Sequence, residues 1–378
     1  MMKKKFQNKL CLLALRCENF VLSVLTHIIW PKNIEPNIND TICIYKPGNI
    51  GDLMCSIPAF NAARKKYPKT KIVLYTHGGR SVNATSVLKG FPAIDEIVTF
   101  EINDLQTREG INKIVYQIRE INPKYFIMFP NENAGFLSQL KHLFIFAKSG
   151  IPCVRGFHVT YFPYFTKAQY QLRQFDREVV RAIKCLPFEE DEIDFSYPMN
   201  NEDIELVENK LTELQIEKER LLLISPIGKA PANSWPIEFF IEICNLWNEK
   251  YGKAVLIGAG IDQIIIDKFC SNGVVNLSGY LSIQQSLCLM RRSELLLTVD
   301  TGTAHMASVT GIKCIGVYSS RNMPEQWFPF GNNVTVISKT VRCSPCRLKE
   351  CPRNNMCMRE ITVEEVWSTI EDKEKGNE

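Results

Sequence analysis

An α/β protein with two doubly wound halves is what this sequence predicts, and three observations carry that expectation. Short apolar runs alternate with amphipathic ones from residue 41 onward, the pattern of parallel strands covered by helices. The alternation restarts near Leu221, so the architecture is duplicated without any short-period repeat. The length of 378 residues suits two domains at roughly 150 residues each.

Composition bounds the class. Hydrophobic residues at 45% and charged residues at 23% are the balance of a soluble globular chain, which confines disorder to the ends. A net charge of +4 over this length lacks the basic excess of a nucleic-acid-binding protein. Most of the 14 cysteines lie inside apolar stretches such as Ile42-Cys43-Ile44 and Leu287-Cys288-Leu289, where they act as small core hydrophobes. No disulfide framework of a small secreted domain is visible, which points to a reducing cytoplasm.

The first segment is residues 1–36. Lysines at 3–5 precede Phe6, Leu10, Leu13, Cys17, Val21, Val24 and Ile28, whose spacings of three and four draw one stripe along a helix, and Leu12, Leu15 and Leu22 widen it. Arg16, Glu18 and Asn19 interrupt the apolar character, so no run reaches the ~18 residues of a membrane span. No small-residue cleavage site follows to make a signal peptide. Two readings stand side by side: an interfacial helix whose lysines meet anionic headgroups, or a helix packed on its own domain.

Pro31 and Pro36 lead into the first domain, residues 37–195. Thr41–Lys46 reads as a buried strand, Asp52–Tyr67 as a helix closed by Pro68, and Lys71–Tyr75 and Glu96–Phe100 as strands. Ile111–Ile121 reads as a helix and Tyr125–Phe129 as a strand. An irregular, aromatic-rich stretch from about 150 to 175 carries Phe157, Tyr161, Phe162, Tyr164 and Phe165. A helix near Arg177–Cys185 and an acidic linker, Glu189–Asp194, close this half. In the second domain, residues 196–378, Leu221–Ser225, Ala254–Gly258, Glu294–Val299 and Lys313–Tyr318 read as strands. Ile237–Tyr251, entered through Pro236, then Ile261–Cys270, Ile283–Met290, Thr303–Val309 and Val363–Ile370 read as helices, with Glu371–Glu378 a solvated tail.

The segment Lys46-Pro47-Gly48-Asn49-Ile50-Gly51-Asp52 leaves a buried strand and opens a helix. In open α/β sheets, ligands sit beyond the carboxyl ends of strands. Gly48 and Gly51 let backbone approach a ligand closely, which makes Lys46, Asn49 and Gly51 a candidate acceptor-side loop. Asp52 either caps its helix or accepts a proton from an attacking hydroxyl. Neither the dinucleotide fingerprint nor the Walker pattern is present, which argues against a nicotinamide oxidoreductase.

The segment Val299-Asp300-Thr301-Gly302-Thr303-Ala304-His305 again runs from a strand through a glycine turn into a short helix. The amides of Thr301, Gly302 and Thr303 are placed to cradle a diphosphate, with the threonine hydroxyls and His305 as further donors. Asp300 suits a sugar hydroxyl, or fixing the loop, better than a phosphate. The competing reading is a capped helix with a core histidine. The coincidence of strand end, glycine turn and hydroxyls favours a nucleotide-sugar site. Neighbouring strand ends add Ser225, Lys229, Asn233 and Trp235 in one loop and Gly258 and Asp262 in another. Lys229 either neutralises a phosphate or is a solvated loop lysine.

Together these motifs resemble glycosyltransferase family 9, the heptosyltransferase-like enzymes of lipopolysaccharide core assembly, over about Thr41 to Trp367. The matching pieces are the Ile50-Gly51-Asp52 loop with Pro58, the Trp235-Pro236 turn, the Asp300–His305 loop and the terminal cysteine segment. The resemblance implies a GT-B fold, with two Rossmann-like domains facing across a cleft. It implies inverting transfer from a nucleotide-sugar such as ADP-heptose to a lipid-linked oligosaccharide, with no cofactor required. It further implies Asp52 as catalytic base, Asp300–His305 as the donor loop, and work at the inner face of the cytoplasmic membrane. One departure is that the family's lysine two residues before the Trp-Pro pair is Asn233 here. Lys229 or a backbone amide takes that role, or the donor differs. No Asp-x-Asp pair, by which metal-dependent transferases present an ion, occurs in the chain, so amides, hydroxyls and basic side chains must meet the leaving charge. A sugar-nucleotide epimerase or hydrolase on the same scaffold is the alternative, and it would turn the donor over without an acceptor.

Cys343, Cys346, Cys351 and Cys357 cluster near the end. The first pair has the spacing of a chelating pair, the rest is irregular, and structural zinc, disulfides and packed thiols all fit.

Overall fold

The computed structural model describes residues 2–31, 34–77, 84–129, 134–158 and 176–375. Tyr161, Phe162, Tyr164 and Phe165 of the aromatic stretch lie outside them. The chain divides into two units, Met1–Ser196 and Tyr197–Glu378.

The sheet of the first unit contains β1 (Thr41–Tyr45), β2 (Lys71–His77), β3 (Glu96–Phe100), β4 (Tyr125–Met128) and β5 (Val154–Arg155), in the order β3-β2-β1-β4-β5. Every pairing is parallel; Cys43 stands opposite Val73 on one side and Phe126 on the other. The central strands are covered on both faces, which is why they read as apolar runs rather than alternating ones. The helices are α1 (Met2–Ile29), α2 (Ile50–Met54), α3 (Ile57–Lys66), α4 (Ala84–Val87), α5 (Arg108–Ile121), α6 (Phe136–Ser149) and α7 (Glu178–Lys184).

Three expectations change here. The helix predicted over Asp52–Tyr67 is two helices. It breaks at Cys55–Ser56, where Ser56 Oγ donates to the Asp52 carbonyl (2.8 Å) and Pro58, without an N–H, enters the second helix. Helix α6 and strand β5 were not predicted. Finally, α1 packs on its own unit, against α6, through the residues that widen the predicted stripe rather than those along its middle. Leu22 is buried, Leu15 and Leu25 are half-buried, and Trp30 beyond the helix donates its indole N–H to the Ile151 carbonyl (2.8 Å) while stacking on Phe157. Leu13, Cys17, Val21, Val24 and Ile28 of the stripe stay exposed. No helix among the described residues is long and apolar enough to cross a membrane.

The second unit's sheet contains β6 (Leu221–Ser225), β7 (Lys253–Leu256), β8 (Val275–Asn276), β9 (Leu295–Val299), β10 (Lys313–Tyr318) and β11 (Val334–Ser338), in the order β11-β10-β9-β6-β7-β8, again wholly parallel. Its helices are α8 (Asn201–Glu213), α9 (Ile237–Lys250), α10 (Gln263–Cys270), α11 (Ile283–Arg292), α12 (Gly302–Thr310), α13 (Met356–Arg359) and α14 (Val363–Lys375). The tail predicted as solvated from Glu371 is helical to Lys375. The Glu374 carboxylate is buried there, paired with Arg220 and with Lys313 at 3.2 Å.

In each sheet the first strand lies between neighbours reached in opposite directions: β1 between β2 and β4, β6 between β7 and β9. Those are the topological switch points, where the loops leaving the strands part and open a crevice.

Candidate functional site

Both predicted loops leave their sheets at switch points. In the first unit, Lys46 follows β1 directly. Its side chain is wholly buried, and its ammonium donates to Glu178 Oε1 at 3.0 Å and stands 3.9 Å from Asp52 Oδ1. Lys46 therefore serves the interior of this loop rather than reaching outward from it. Glu178, at the start of α7, is 2% exposed and also takes the Arg181 guanidinium. Burial alone would raise the Glu178 carboxyl; Lys46 and Arg181 reverse that and hold it below the ordinary carboxylate range. The same burial, with Glu178 and Asp52 adding negative charge, pushes the neighbouring Cys55 thiol up.

Asp52 is one-fifth exposed, the outermost member of this group. Its Oδ2 accepts the Asn49 amide at 2.9 Å, so it caps α2 with one oxygen. The other oxygen faces Lys46. The two sequence readings of Asp52 are therefore compatible, because the cap fixes the carboxylate without consuming it. A Cβ on Gly48 would fall 2.3 Å from Asp52 Cβ. Glycine is needed at 48 to seat Asp52, not to admit a ligand. Glu178 was missed by sequence reasoning: it lies 132 residues from its partner, and a glutamate at a helix start gives no signal of its own.

In the second unit, β9 runs into Asp300 and Thr301, and α12 begins at Gly302. The Thr301 side chain does not cap the helix, so the first-turn amides of Gly302 and Thr303 have no acceptor within it. Thr301, Gly302 and Thr303 are all partly exposed. Asp300 Oδ2 accepts Asn233 Nδ2 (3.0 Å) and Asn322 Nδ2 (3.2 Å), and Asn233 Oδ1 accepts Ser319 Oγ (2.6 Å). Asp300 thus fixes the loop, and Asn233, which replaces the family's lysine, is a buried strut. Gly228 packs against this pair, since a Cβ there would meet the Asp300 carbonyl at 3.1 Å and Asn233 Cβ at 3.2 Å. The next residue, Lys229, is exposed and makes no hydrogen bond or ion pair among the described residues.

The remaining predicted donor residues divide. Ser225 ends β6, buried, and its carbonyl accepts Thr298 Oγ1 (3.1 Å). Gly258 leaves β7 with φ +116°, a conformation only glycine adopts readily, and its would-be Cβ lies 3.6 Å from Ser225 Oγ. These two border the same crevice edge as Asp300. Asp262, expected to bind donor, caps α10 through Ile264 N (2.9 Å). Trp235, also expected there, is core: its indole N–H donates to the Ile361 carbonyl (2.9 Å) and its ring meets Phe239 and Phe240 edge-on. His305 is buried with Trp327 edge-on at 6.0 Å. The four C-terminal cysteines are in no disulfide, and among the described residues no three potential ligands gather as a metal site. That segment is held by backbone and amide bonds, such as Asn355 Nδ2 to the Pro231 carbonyl (2.8 Å).

Two Rossmann-like units, each with a loop at its switch point, one bearing a braced carboxylate and the other an amide-rich turn, are the architecture of a GT-B protein. A model of glycosyltransferase family 9 (heptosyltransferase) matches residues 145–357, more than half of the chain. The chain belongs to that family and is a glycosyltransferase. It is 29% identical to the lipopolysaccharide core heptosyltransferase OpsX of Haemophilus influenzae over 122 residues, 31% of this chain and 35% of that one. It is 23% identical to lipooligosaccharide heptosyltransferase 2 of Campylobacter jejuni over 346 residues, 87% of this chain and 98% of that one. Among solved structures, a family 9 glycosyl transferase from Veillonella parvula superposes with a TM-score of 0.72 at 16% identity, over 90% of this chain and 99% of the other. E. coli ADP-heptose lps heptosyltransferase II superposes with a TM-score of 0.63 at 17% identity, over 88% and 98%.

Proposed function

We propose that this chain transfers a heptose from ADP-heptose to a lipopolysaccharide-core-type acceptor, with inversion and without a metal, using Asp52 as general base. The observation that carries the proposal is the state of Asp52. One oxygen is tied to the Asn49 amide, the other stands beside Lys46, and the side chain remains open to solvent at a sheet switch point. In the reaction, an acceptor hydroxyl attacks the anomeric carbon while Asp52 takes its proton. The bond from that carbon to the diphosphate oxygen breaks, and ADP leaves with the electron pair. A single displacement of this kind inverts the anomeric centre. The charge on the leaving diphosphate is met by the Gly302 and Thr303 amides, the Thr301 and Thr303 hydroxyls and Lys229. The ADP-heptose assignment is supported by the likeness to E. coli ADP-heptose lps heptosyltransferase II, and the acceptor class by the two heptosyltransferase relatives. A lipid-linked acceptor places the work at a membrane surface on the cytoplasmic side.

Two measurements test this reading. In a thermal-shift panel, ADP should stabilise the protein where UDP and GDP do not, because a ligand bound only to the native state raises apparent stability with occupancy. Asp52→Asn should lower kcat by about 10²–10⁴ and leave the ADP shift intact. A variant that keeps full activity sinks the base assignment.

A further inference from the structure

Helix α1 shows the solvent an apolar face that its own packing does not need. Leu15, Leu22 and Leu25 hold it to the unit, while Phe20 and Ile28, at 70% and 68% exposure, point away together with Leu13 and Val24. Its neighbour α6 does the same. Leu137 (79% exposed), Lys141, Phe144 (60%) and Lys148 succeed one another at spacings of four, three and four, forming one outward stripe that alternates apolar and basic. Exposed apolar residues gathered this way on adjacent helices mark a surface awaiting a partner.

The charge says which partner. Glu18 is the only carboxylate in the two helices; it lies one turn from Leu22 on the packed side and is half-buried. Lys3, Lys4, Lys5, Lys9 and Arg16 belong to α1, and Lys141 and Lys148 to α6. Neither Arg16 nor Lys141 nor Lys148 has an acidic partner among the described residues. A protein partner of ordinary composition would not require so one-sided a face. A bilayer with anionic headgroups does, because long basic side chains reach the phosphates while the apolar residues enter the acyl boundary.

We infer that the outward faces of α1 and α6 together form a docking surface for an anionic lipid bilayer. The surface deepens the reading of a lipid-linked acceptor but is tested without donor or acceptor, so its failure and the failure of the transferase reading are distinguishable. The full chain is floated with phosphatidylcholine vesicles, with and without about 30% phosphatidylglycerol. Binding is expected to the anionic vesicles, to weaken as salt is raised, and to fall about tenfold or more in Phe20→Glu/Val24→Glu and separately in Lys141→Glu/Lys148→Glu. All four positions are on exposed faces, and an unchanged melting temperature certifies each fold; Leu137→Gln/Phe144→Gln replaces a pair that destabilises. Absence of vesicle binding, or binding that none of these pairs weakens, overturns the inference. Self-association in light scattering that Phe20→Glu/Val24→Glu abolishes, with no vesicle binding, assigns the face to a second copy and overturns it equally.

Discussion

Three charges, Lys46, Glu178 and Arg181, share the interior beside Asp52, and their order decides what each does. Glu178 sits between two cations, Lys46 at 3.0 Å and Arg181, while Lys46 reaches Asp52 only at 3.9 Å. The buried glutamate draws the lysine away from the base, which keeps a lone pair of Asp52 available. Breaking a buried pair from one side costs about 3–5 kcal/mol, because the remaining charge is left unpaired. Glu178→Gln is therefore expected to lose stability of that order in urea unfolding at neutral pH, and to lower kcat as Lys46 closes on Asp52. The sign with pH follows from the lowered Glu178 value. Its stabilisation is complete above the unfolded carboxylate value of ~4.3 and disappears as pH falls through the lower folded one. Wild type should thus lose more stability than the variant below about pH 4. A second residue carries a different window. His142 is buried, its Nε2 against the Tyr45 hydroxyl (2.9 Å) and its Nδ1 against the Ser138 carbonyl (2.8 Å). Burial outweighs the carbonyl and lowers it from 6.5 to about 4. The neutral ring stabilises the fold above the unfolded value, and this contribution, roughly 3 kcal/mol, is lost as pH falls from the ordinary value toward the folded one. His142→Gln should flatten the unfolding free energy between those two values. An unchanged slope would mean that His142 protonates without cost.

At the scale of elements, short loops after strands do the positioning. In the loop between β1 and α2, Gly48→Ala would press a methyl against Asp52 Cβ, 2.3 Å away. Displacing a reacting group by about an ångström costs on the order of a hundredfold in rate, so kcat should fall far more than the melting temperature. Asp262→Ala should remove about 1 kcal/mol by uncapping α10 and leave ADP affinity unchanged; a weakened affinity would return Asp262 to the donor site. These cases show what could be read in advance. The two loops were legible because a buried strand ending in glycine and hydroxyls has a local signature. The roles of Trp235, Asn233 and Asp262 were not, because a buried indole, an amide strut and a helix cap look like ligand contacts until their partners across the fold are known. Helix α6 was missed since Leu137 and Phe144 on its outer face blur the helical period. The α1 stripe was legible, but its two readings stayed open, because periodicity identifies an apolar face without saying what covers it.

For the whole molecule, the parallel sheets were the most readable feature. Strands buried on both faces need continuous apolar sequence; the two-residue strands β5 and β8 are too short to show it, and β11, half-buried along most of its length, also went unpredicted. The duplication also separates the two halves of the proposed chemistry. The base is built within Met1–Ser196, and the amide-rich turn within Tyr197–Glu378. Each unit has its own core, so ligand stabilisation should begin in the unit that holds the ligand. At ADP about a hundredfold above its dissociation constant, the gain is ~2.7 kcal/mol. Hydrogen exchange should then slow first at the Gly302 and Thr303 amides and the strand ends after Ser225 and Leu256, while the loop from Lys46 to Asp52 exchanges as before. Lys229→Ala should shrink that protection at a given ADP concentration without altering exchange in the ligand-free protein, since Lys229 is exposed and bonded to nothing among the described residues. Protection confined to the first unit, or protection that Lys229→Ala leaves untouched, would move the diphosphate away from α12 and require another anion site to carry the leaving group.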